Sequence, residues 1–162
     1  QIFVLYWESA YQPEHLKPVI MINVANILAR KDRRLVSVKP DTPVLEALRI
    51  MAEENIGSVL VMEHNTYKGL LTERDYARKV ILRGKTSADT PVSEIMSTDL
   101  PRISPEDSIE HCMELMSANN IRYLPVFQHS ELVGIISIND VIKAIISHQE
   151  QTIQQLTSYI HS

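Results

Sequence analysis

Cysteine is nearly absent from this chain of 162 residues, and long apolar runs are missing altogether. The single cysteine, Cys112, cannot form an internal disulfide or a zinc site of paired cysteines. A chain without disulfides fits a reducing compartment, and no apolar run approaches the roughly 18 residues of a membrane-spanning helix. We therefore expect a cytoplasmic protein without a membrane segment.

A large excess of charge of one sign is also missing. The formal net charge is −4, with 22% charged and 44% hydrophobic residues, which is ordinary for a globular protein. This balance argues against binding of nucleic acid through the overall charge. The one basic run, residues 30–34, is interpreted as a solvated helix end. The alternative is a docking patch for an acidic partner or for the outer phosphates of a ligand.

Catalytic constellations are missing as well. The sequence offers no nucleophile–base pair with an orienting group, no cluster of metal ligands and no Walker-type loop. His64 and His129 fall in two predicted hairpin loops, where exposure is favoured over metal binding. Cys112 lies on the apolar stripe of a predicted helix and is interpreted as a small core residue. We therefore do not expect an enzyme.

Residues 1–22 are predicted to be an N-terminal arm or a tag-like extension. Their apolar stretch, residues 2–7, is too short for a secretory signal and has no basic flank before it. The alternative is an aromatic arm that covers a partner surface. Because the repeated pattern described below begins at Asn23, we expect a natural start at Met21 and residues 1–20 to be dispensable.

The two halves of the chain repeat each other. A shift of 65 residues aligns them without a gap and pairs Pro40 with Pro105, Met51 with Met116, Asn55 with Asn120, Gly69 with Gly134, Thr72 with Ser137 and Asp75 with Asp140. Two copies are too few for a solenoid, so we predict a pseudo-twofold pair.

Each copy has the pattern strand–helix–strand–strand–helix, which predicts an α/β fold. We assign repeat 1 to residues 23–82, a linker to 83–91, repeat 2 to 92–147 and a helical tail to 148–162. The helix pattern that begins near residue 44 suggests Thr42 as its N-cap, and Ser108 is the predicted cap in the second copy. The second helix of repeat 1 is expected to end near Leu82, and the last helix is expected to continue into the tail.

The segments "GLLTERD" (69–75) and "GIISIND" (134–140) end a predicted strand and begin a helix. The hydroxyl residue and the aspartate three positions later can form a capping box, and the glycine permits a close approach. The same groups could instead bind a ligand. A helix N-terminus attracts phosphate, the carboxylate could accept both hydroxyls of a ribose, and the aliphatic strands leave a slot for a purine. Capping and binding can use the same residues.

The doubled unit resembles a tandem CBS-domain pair, or Bateman module, over about residues 23–147. The motif of that family is G-h-x-[ST]-x-x-[DN], and the sequence is similar to stand-alone proteins with a single pair. The resemblance implies two βαββα repeats that bind AMP or another adenosine-containing molecule, namely ADP, ATP, NAD or S-adenosylmethionine. It implies no required cofactor.

The resemblance also implies residue roles. Asp75 and Asp140 would hold the ribose hydroxyls, and Thr72 and Ser137 would contact ribose or α-phosphate. The adenine slot would lie around Val38, Ile56 and Val59, with its counterpart around Ile103, Ile121, Tyr123 and Pro125. The candidates for phosphate charge are Arg74 and Arg122, with solvated surface groups as the alternative. Because Asn139 replaces Arg74 in register, we expect weaker polyphosphate binding by the second copy.

These expectations define a nucleotide-binding sensor that changes the arrangement of its repeats and regulates a partner protein. The resemblance suggests thioredoxins as one candidate class of partner. We expect a homodimer shaped as a flat disc of four repeats, because the apolar faces of helices 44–52 and 109–116 would otherwise lack cover. One alternative is a homodimeric scaffold whose motifs are only helix caps. Another is the regulatory part of a larger enzyme, since inosine-monophosphate dehydrogenase carries a similar insert.

Overall fold

Two repeats of the same architecture build the protein, whose computed structural model describes residues 22–31 and 34–161. The expectations for residues 1–20 lie outside the described residues. The elements in chain order are α1 (Val24–Arg30), β1 (Ser37–Val38), α2 (Val44–Glu53), β2 (Ser58–Glu63), β3 (Thr66–Thr72), α3 (Glu73–Lys79), α4 (Ile109–Asn119), β4 (Tyr123–Gln128), β5 (Glu131–Ser137) and α5 (Ile138–His161). Short 3₁₀ turns cover Ile81–Arg83 and Val92–Glu94.

Each repeat is centred on an antiparallel hairpin, β2–β3 in the first and β4–β5 in the second. In repeat 1, β1 pairs in parallel with β2, whereas the equivalent segment of repeat 2 forms only the isolated bridge between Ile103 and Val126. Both hairpins close through two residues with positive φ, His64–Asn65 and His129–Ser130. This is the geometry of a type I′ turn, so the two histidines are turn residues. The described residues contain no group arranged to hold a metal ion.

The helix starts follow local capping chemistry. Ser108 caps α4 as predicted, because its side chain accepts the N–H of His111 at 3.1 Å. The prediction for α2 was wrong: Pro43 is the N-cap, with extended backbone angles, and the Thr42 hydroxyl instead accepts the N–H of Lys39. Helix α3 ends at Lys79, earlier than expected, because the chain tightens into the 3₁₀ turn at Ile81–Arg83.

A short lead-in segment precedes each repeat, namely α1 for repeat 1 and residues 92–97 for repeat 2. Each lead-in packs on the other repeat. At the start of α1, Val24 N–H donates to the Asp107 carbonyl at 3.0 Å. In the same way, Val92 N–H at the second 3₁₀ turn donates to the Thr42 carbonyl at 2.9 Å. Each hydrophobic core therefore contains residues from both halves of the sequence. The two repeats are interlocked, and neither completes its core alone.

The two cores bury the apolar stripes of α2 and α4. The first contains Val44, Ala47 and Met51 of α2 together with Val92 and Ile95 from the lead-in of repeat 2. The second contains Ile109, Cys112 and Met116 of α4 together with Val24 and Ile27 of α1. The exchanged lead-ins therefore cover part of both stripes, while Leu48 of α2 and Met113 of α4 stay half-buried, and the expected dimer through these faces stays a prediction. Burial, with the nearby Asp107 carboxylate, raises the pKa of Cys112 to about 11, which agrees with its prediction as a core residue.

Two glycines permit this interlocking. A Cβ at Gly69 would lie 2.7 Å from the Ser97 carbonyl oxygen, and a Cβ at Gly134 would lie 2.7 Å from Cδ2 of Leu28. Leu70 and Ser97 also exchange two backbone hydrogen bonds, of 2.9 and 2.8 Å. The glycine of the repeated motif is therefore required where the lead-in of the other repeat crosses the strand.

The chain ends in α5, a single helix of 24 residues that begins at the repeated motif and continues through the tail. Its buried residues, Val141 and Ala144, lie in the first two turns, and the described residues after His148 are all exposed. In the part of the chain that the structure describes, no helix has the length and apolar character needed to span a membrane.

The crossing predicts unequal effects of a methyl group at the two glycines. Gly69→Ala should reduce the free energy of unfolding by about 1–3 kcal/mol, because the added Cβ meets backbone that cannot rotate away. Gly134→Ala should cost less, since the Leu28 side chain can adopt another rotamer. Urea unfolding of both variants measures the difference. An equal loss, or a larger loss for Gly134→Ala, would contradict the crossing geometry.

Candidate functional site

Two clefts lie between the repeats, and the 65-residue shift relates their linings. We call the one beside the first motif the first cleft and the one beside the second motif the second cleft. Their volumes are about 390 and 370 Å³. Both lie in the range of about 300–1,000 Å³ that is usual for small-molecule sites.

Each cleft combines the motif of one repeat with the predicted base slot of the other. In the first cleft, Thr72 and Asp75 share the lining with Ile121. In the second, Ser137 and Asp140 share it with Ile56. Three residues, Gly57, Arg122 and Tyr123, line both clefts. The shared wall places the two clefts back to back.

Four of the predicted slot residues do not line either cleft. Val38, Val59 and Ile103 belong to the hydrophobic cores, and Pro125 is buried in β4. Side chains alternate between the two faces of a strand, so these positions point inward when their neighbours face the ligand side. Leu35 and Leu100, which are 65 positions apart, line the second and the first cleft instead.

The carboxylate of the first cleft is fully engaged. Asp75 Oδ2 accepts the Thr72 N–H at 3.0 Å and the Thr72 hydroxyl at 2.8 Å. Its Oδ1 pairs with Lys79 Nζ at 2.9 Å and accepts the Ser97 hydroxyl at 3.3 Å. Asp75 is only 8% exposed. This is the capping box that the motif predicts, and a ligand hydroxyl would have to replace one of these partners.

The carboxylate of the second cleft has fewer partners among the described residues than that of the first. Asp140 Oδ2 accepts the Ser137 N–H at 2.7 Å and pairs with Lys31 Nζ at 2.8 Å. Its Oδ1 has no hydrogen-bond partner among residues 22–31 and 34–161. Burial acts to raise the pKa of Asp140, but the hydrogen bonds from Lys31 and Ser137 outweigh it and lower the pKa. The carboxylate is therefore charged at neutral pH, and no described residue uses its Oδ1 as an acceptor.

Basic side chains line both clefts. The first carries Arg74, Arg78, Lys79 and Arg122, and the second carries Lys31, Arg34, Arg122 and Lys143. Arg74 Nη1 donates to the Asn120 carbonyl at 2.9 Å, so this side chain also joins the two repeats. The positive charge that Asn139 removes from the second motif is restored by Lys31 and Arg34. Lys31 is paired with Asp140 and Arg34 with Glu54, so weaker polyphosphate binding by the second copy stays a prediction.

Tyr123 forms the centre of the shared wall. Its hydroxyl lies so close to Gly57 that any Cβ at that position would collide with it. Burial, followed by the charge of Glu73, raises the pKa of Tyr123 above its ordinary value. The phenol is therefore neutral at physiological pH, and its hydroxyl has a hydrogen bond with the Ser58 side chain.

Sequence reasoning missed several lining residues. Lys31 and Arg34 belong to the basic run that was interpreted as a solvated helix end, with a patch for an acidic partner or for a ligand's outer phosphates as the alternative, and their place in the second cleft depends on the exchange of α1. Arg78 and Lys143 are both basic and stand 65 positions apart, and so are detectable by comparing the copies. No comparable signal marks Lys31, because the lead-in segments do not keep the 65-residue register.

Comparison with known proteins gives the family. The model of the CBS domain matches residues 24–82 and 92–147, so the chain belongs to the CBS-domain family and contains a tandem pair. This family is commonly regulatory and ligand-binding, and its domains typically bind adenosine ligands. Nothing in the comparisons points to catalytic activity.

Two curated relatives and one solved structure illustrate the relationship. The mitochondrial CBS domain-containing protein CBSX3 of Arabidopsis thaliana is 35% identical over 125 residues, covering 74% of this chain and 61% of that protein. The CBS domain-containing protein YhcV of Bacillus subtilis is 37% identical over 108 residues, covering 67% and 76%. A solved CBS-domain protein from Burkholderia ambifaria superposes with a TM-score of 0.76 at 40% identity, covering 78% and 95%. The chain thus spans less than two thirds of the Arabidopsis protein.

The ion pair in the second cleft predicts a titration effect. In Lys31→Met the pKa of Asp140 should rise, because the ammonium group that stabilises the carboxylate is gone. The stabilising contribution of the ionised carboxylate is present above its unfolded-state pKa and is lost as pH falls through the folded-state pKa. The variant should therefore lose part of this acid dependence of stability.

The carboxyl-carbon chemical shift of Asp140, followed by NMR through an acid titration, measures this pKa directly. Lys143→Met is the matched control, because Lys143 lines the same cleft but makes no ion pair with Asp140. An unchanged pKa in Lys31→Met, or an equal rise in both variants, would show that Lys31 does not hold the carboxylate.

Proposed function

We propose that the protein is a regulatory module that binds adenosine nucleotides in its two clefts. Binding would change the relative arrangement of the repeats, and a partner protein would respond to that change. The observation that carries this proposal is the repeated hydroxyl–aspartate pair, which lies at a helix start in each of two clefts with apolar walls and basic rims. These are the groups that ribose, purine and phosphate require.

The chemistry of the second cleft favours a ribose at Asp140. Oδ1, which has no partner among residues 22–31 and 34–161, can accept one ribose hydroxyl, and a second hydroxyl can replace Lys31 at Oδ2. Ile56 and Leu35 supply apolar surface for a base. Once displaced, Lys31 remains close enough, with Arg34, to meet the phosphate charge. Binding thus exchanges one charged contact for another and leaves no buried charge without a partner.

The exchanged lead-in gives a route from binding to rearrangement. Lys31 follows α1, which packs on repeat 2, while Arg34 precedes β1 of repeat 1. A ligand that moves Lys31 therefore acts on the end of α1, the helix of repeat 1 that packs on repeat 2. The arrangement shifts only if the ligand binds one arrangement more tightly than the other.

The competing function is a scaffold whose motifs are only helix caps. The capping box at Thr72 and Asp75 favours it, because every oxygen of that carboxylate already has a partner within the chain. A scaffold and a sensor differ in one property. Only in the sensor does loss of the aspartate weaken the response to a ligand.

Thermal unfolding with AMP tests this difference. A ligand at about 100 times its dissociation constant stabilises a folded chain by about 2.7 kcal/mol per site. For a chain of this size that is a rise in melting temperature of roughly 5–11 °C. Asp140→Asn should weaken binding in the second cleft because a charged hydrogen bond is worth about 1.5–3 kcal/mol, so most of the rise contributed by that cleft should disappear. The effect of Asp75→Asn should be smaller, since Asp75 is the more fully engaged carboxylate.

Asp107→Asn is the matched control. Asp107 Oδ2 accepts the Ser104 N–H at 2.6 Å, which is a bond within a local turn, and Asp107 lines neither cleft. The rise in melting temperature that AMP causes should therefore be the same in Asp107→Asn as in the wild-type protein. If ligand-free wild-type protein failed to respond to AMP, ADP, ATP, NAD and S-adenosylmethionine at millimolar concentration, the scaffold would be the better account.

A further inference from the structure

A stripe of large apolar side chains runs along the whole of α5 and remains exposed. It consists of Ile142, Ile146, Ile153, Leu156 and Ile160, of which the last three are 62%, 60% and 76% exposed. With Gln149 included, the spacing along the stripe alternates between four and three residues. This regularity distinguishes the stripe from scattered surface leucines and isoleucines, which need no explanation.

The stripe is separate from the face by which α5 packs on its own repeat. That face carries Val141, Ala144 and Ile145. At about 100° per residue, the centre of the stripe lies roughly a quarter turn away from it. The core of repeat 2 therefore does not cover the stripe, even where Ile142 and Ile146 lie beside the domain.

The alternating spacing is that of a coiled-coil seam. Ile146, Ile153 and Ile160 take the a positions, and Ile142, Gln149 and Leu156 take the d positions. β-Branched residues at every a position, with leucine at d, favour two parallel strands, and here all three a positions are isoleucine and one d position, Leu156, is leucine. The polar Gln149 at another d position costs stability in the seam.

We propose that this stripe binds the same stripe of a second copy of the chain, forming a short parallel coiled coil. A seam side chain needs a hole formed by four residues of a helix with the same repeat, and a second copy supplies it in register by twofold symmetry. Charge does not oppose the pairing. Apart from two histidines, Glu150 is the single acidic or basic residue between positions 146 and 161. In parallel register Glu150 faces Ile145 of the other copy rather than a like charge.

This dimer differs from the disc expected from the sequence. The disc would use the apolar faces of α2 and α4, which the chain's own cores cover in part. The coiled coil uses the part of α5 that carries exposed apolar side chains, and it leaves both clefts outside the interface seam. The pairing therefore does not depend on whether the clefts bind nucleotide.

Sedimentation of the full chain at micromolar concentration is the first test. Wild-type protein should be a dimer, and Ile153→Asp should raise its dissociation constant by at least about tenfold, because a carboxylate at an a position loses its water in the seam. Gln154→Asp, one residue away on the outer face, adds the same charge and should change it by no more than about twofold. Both sites are exposed, so neither variant should alter the melting temperature of the repeats.

A cysteine at the end of the helix tests the orientation. Under mild oxidation Ile160→Cys should form a disulfide-linked dimer, because equivalent a positions adjoin each other in a parallel pair. Ser158→Cys, on the outer face, should not, and the native Cys112 is buried and silent. A monomeric wild-type chain, equal dissociation constants for the two aspartate variants, or a dimer without crosslinking at position 160 would each overturn the proposal.

Discussion

The close crossing of each lead-in segment over the glycine of the opposite motif is the constraint on which the rest of the structure depends. At Gly69 the crossing backbone carbonyl leaves no space for a methyl group. Because the lead-ins are exchanged, each core is completed by the other half of the chain, and the two motifs are held at fixed positions beside a shared wall. The glycine that begins the motif is therefore structural, while the hydroxyl and the aspartate that end it face a cleft.

The same exchange makes the two clefts unequal. It brings Lys31 to Asp140 in the second cleft, whereas Asp75 in the first is neutralised by Lys79 from its own helix. Asp140 is thus paired by a residue at the end of the exchanged helix α1, and Asp75 is paired by a residue of its own helix. A ligand in the second cleft would act on the end of α1, and a ligand in the first cleft would act mainly on α3. Regulation by a nucleotide would therefore operate chiefly through the second cleft.

The repeat, the α/β order, the Ser108 cap and the core position of Cys112 could be predicted, because each depends on periodicity or on a contact within a few residues. The capping role of Thr72 and Asp75 was predictable for the same reason. The exchange of the lead-ins was not, since it is a long-range choice between two similar partners. Without it, Lys31 could not be placed beside Asp140, and α2 and α4 were expected to have uncovered faces. The alternation of strand side chains likewise moved Val38, Val59, Ile103 and Pro125 away from the clefts.

The measurement that tests the central claim most directly is an NMR titration of ligand-free protein with AMP, following backbone amides. A cleft built from two repeats predicts that amides of Ser137–Asp140 and of Ile56–Gly57 shift together at one ligand concentration, although the two segments are far apart in sequence. Amides on the exposed end of α5 should not shift. Saturating AMP that leaves both segments unchanged, or that shifts residues away from both clefts, would contradict the assignment of these clefts as nucleotide sites.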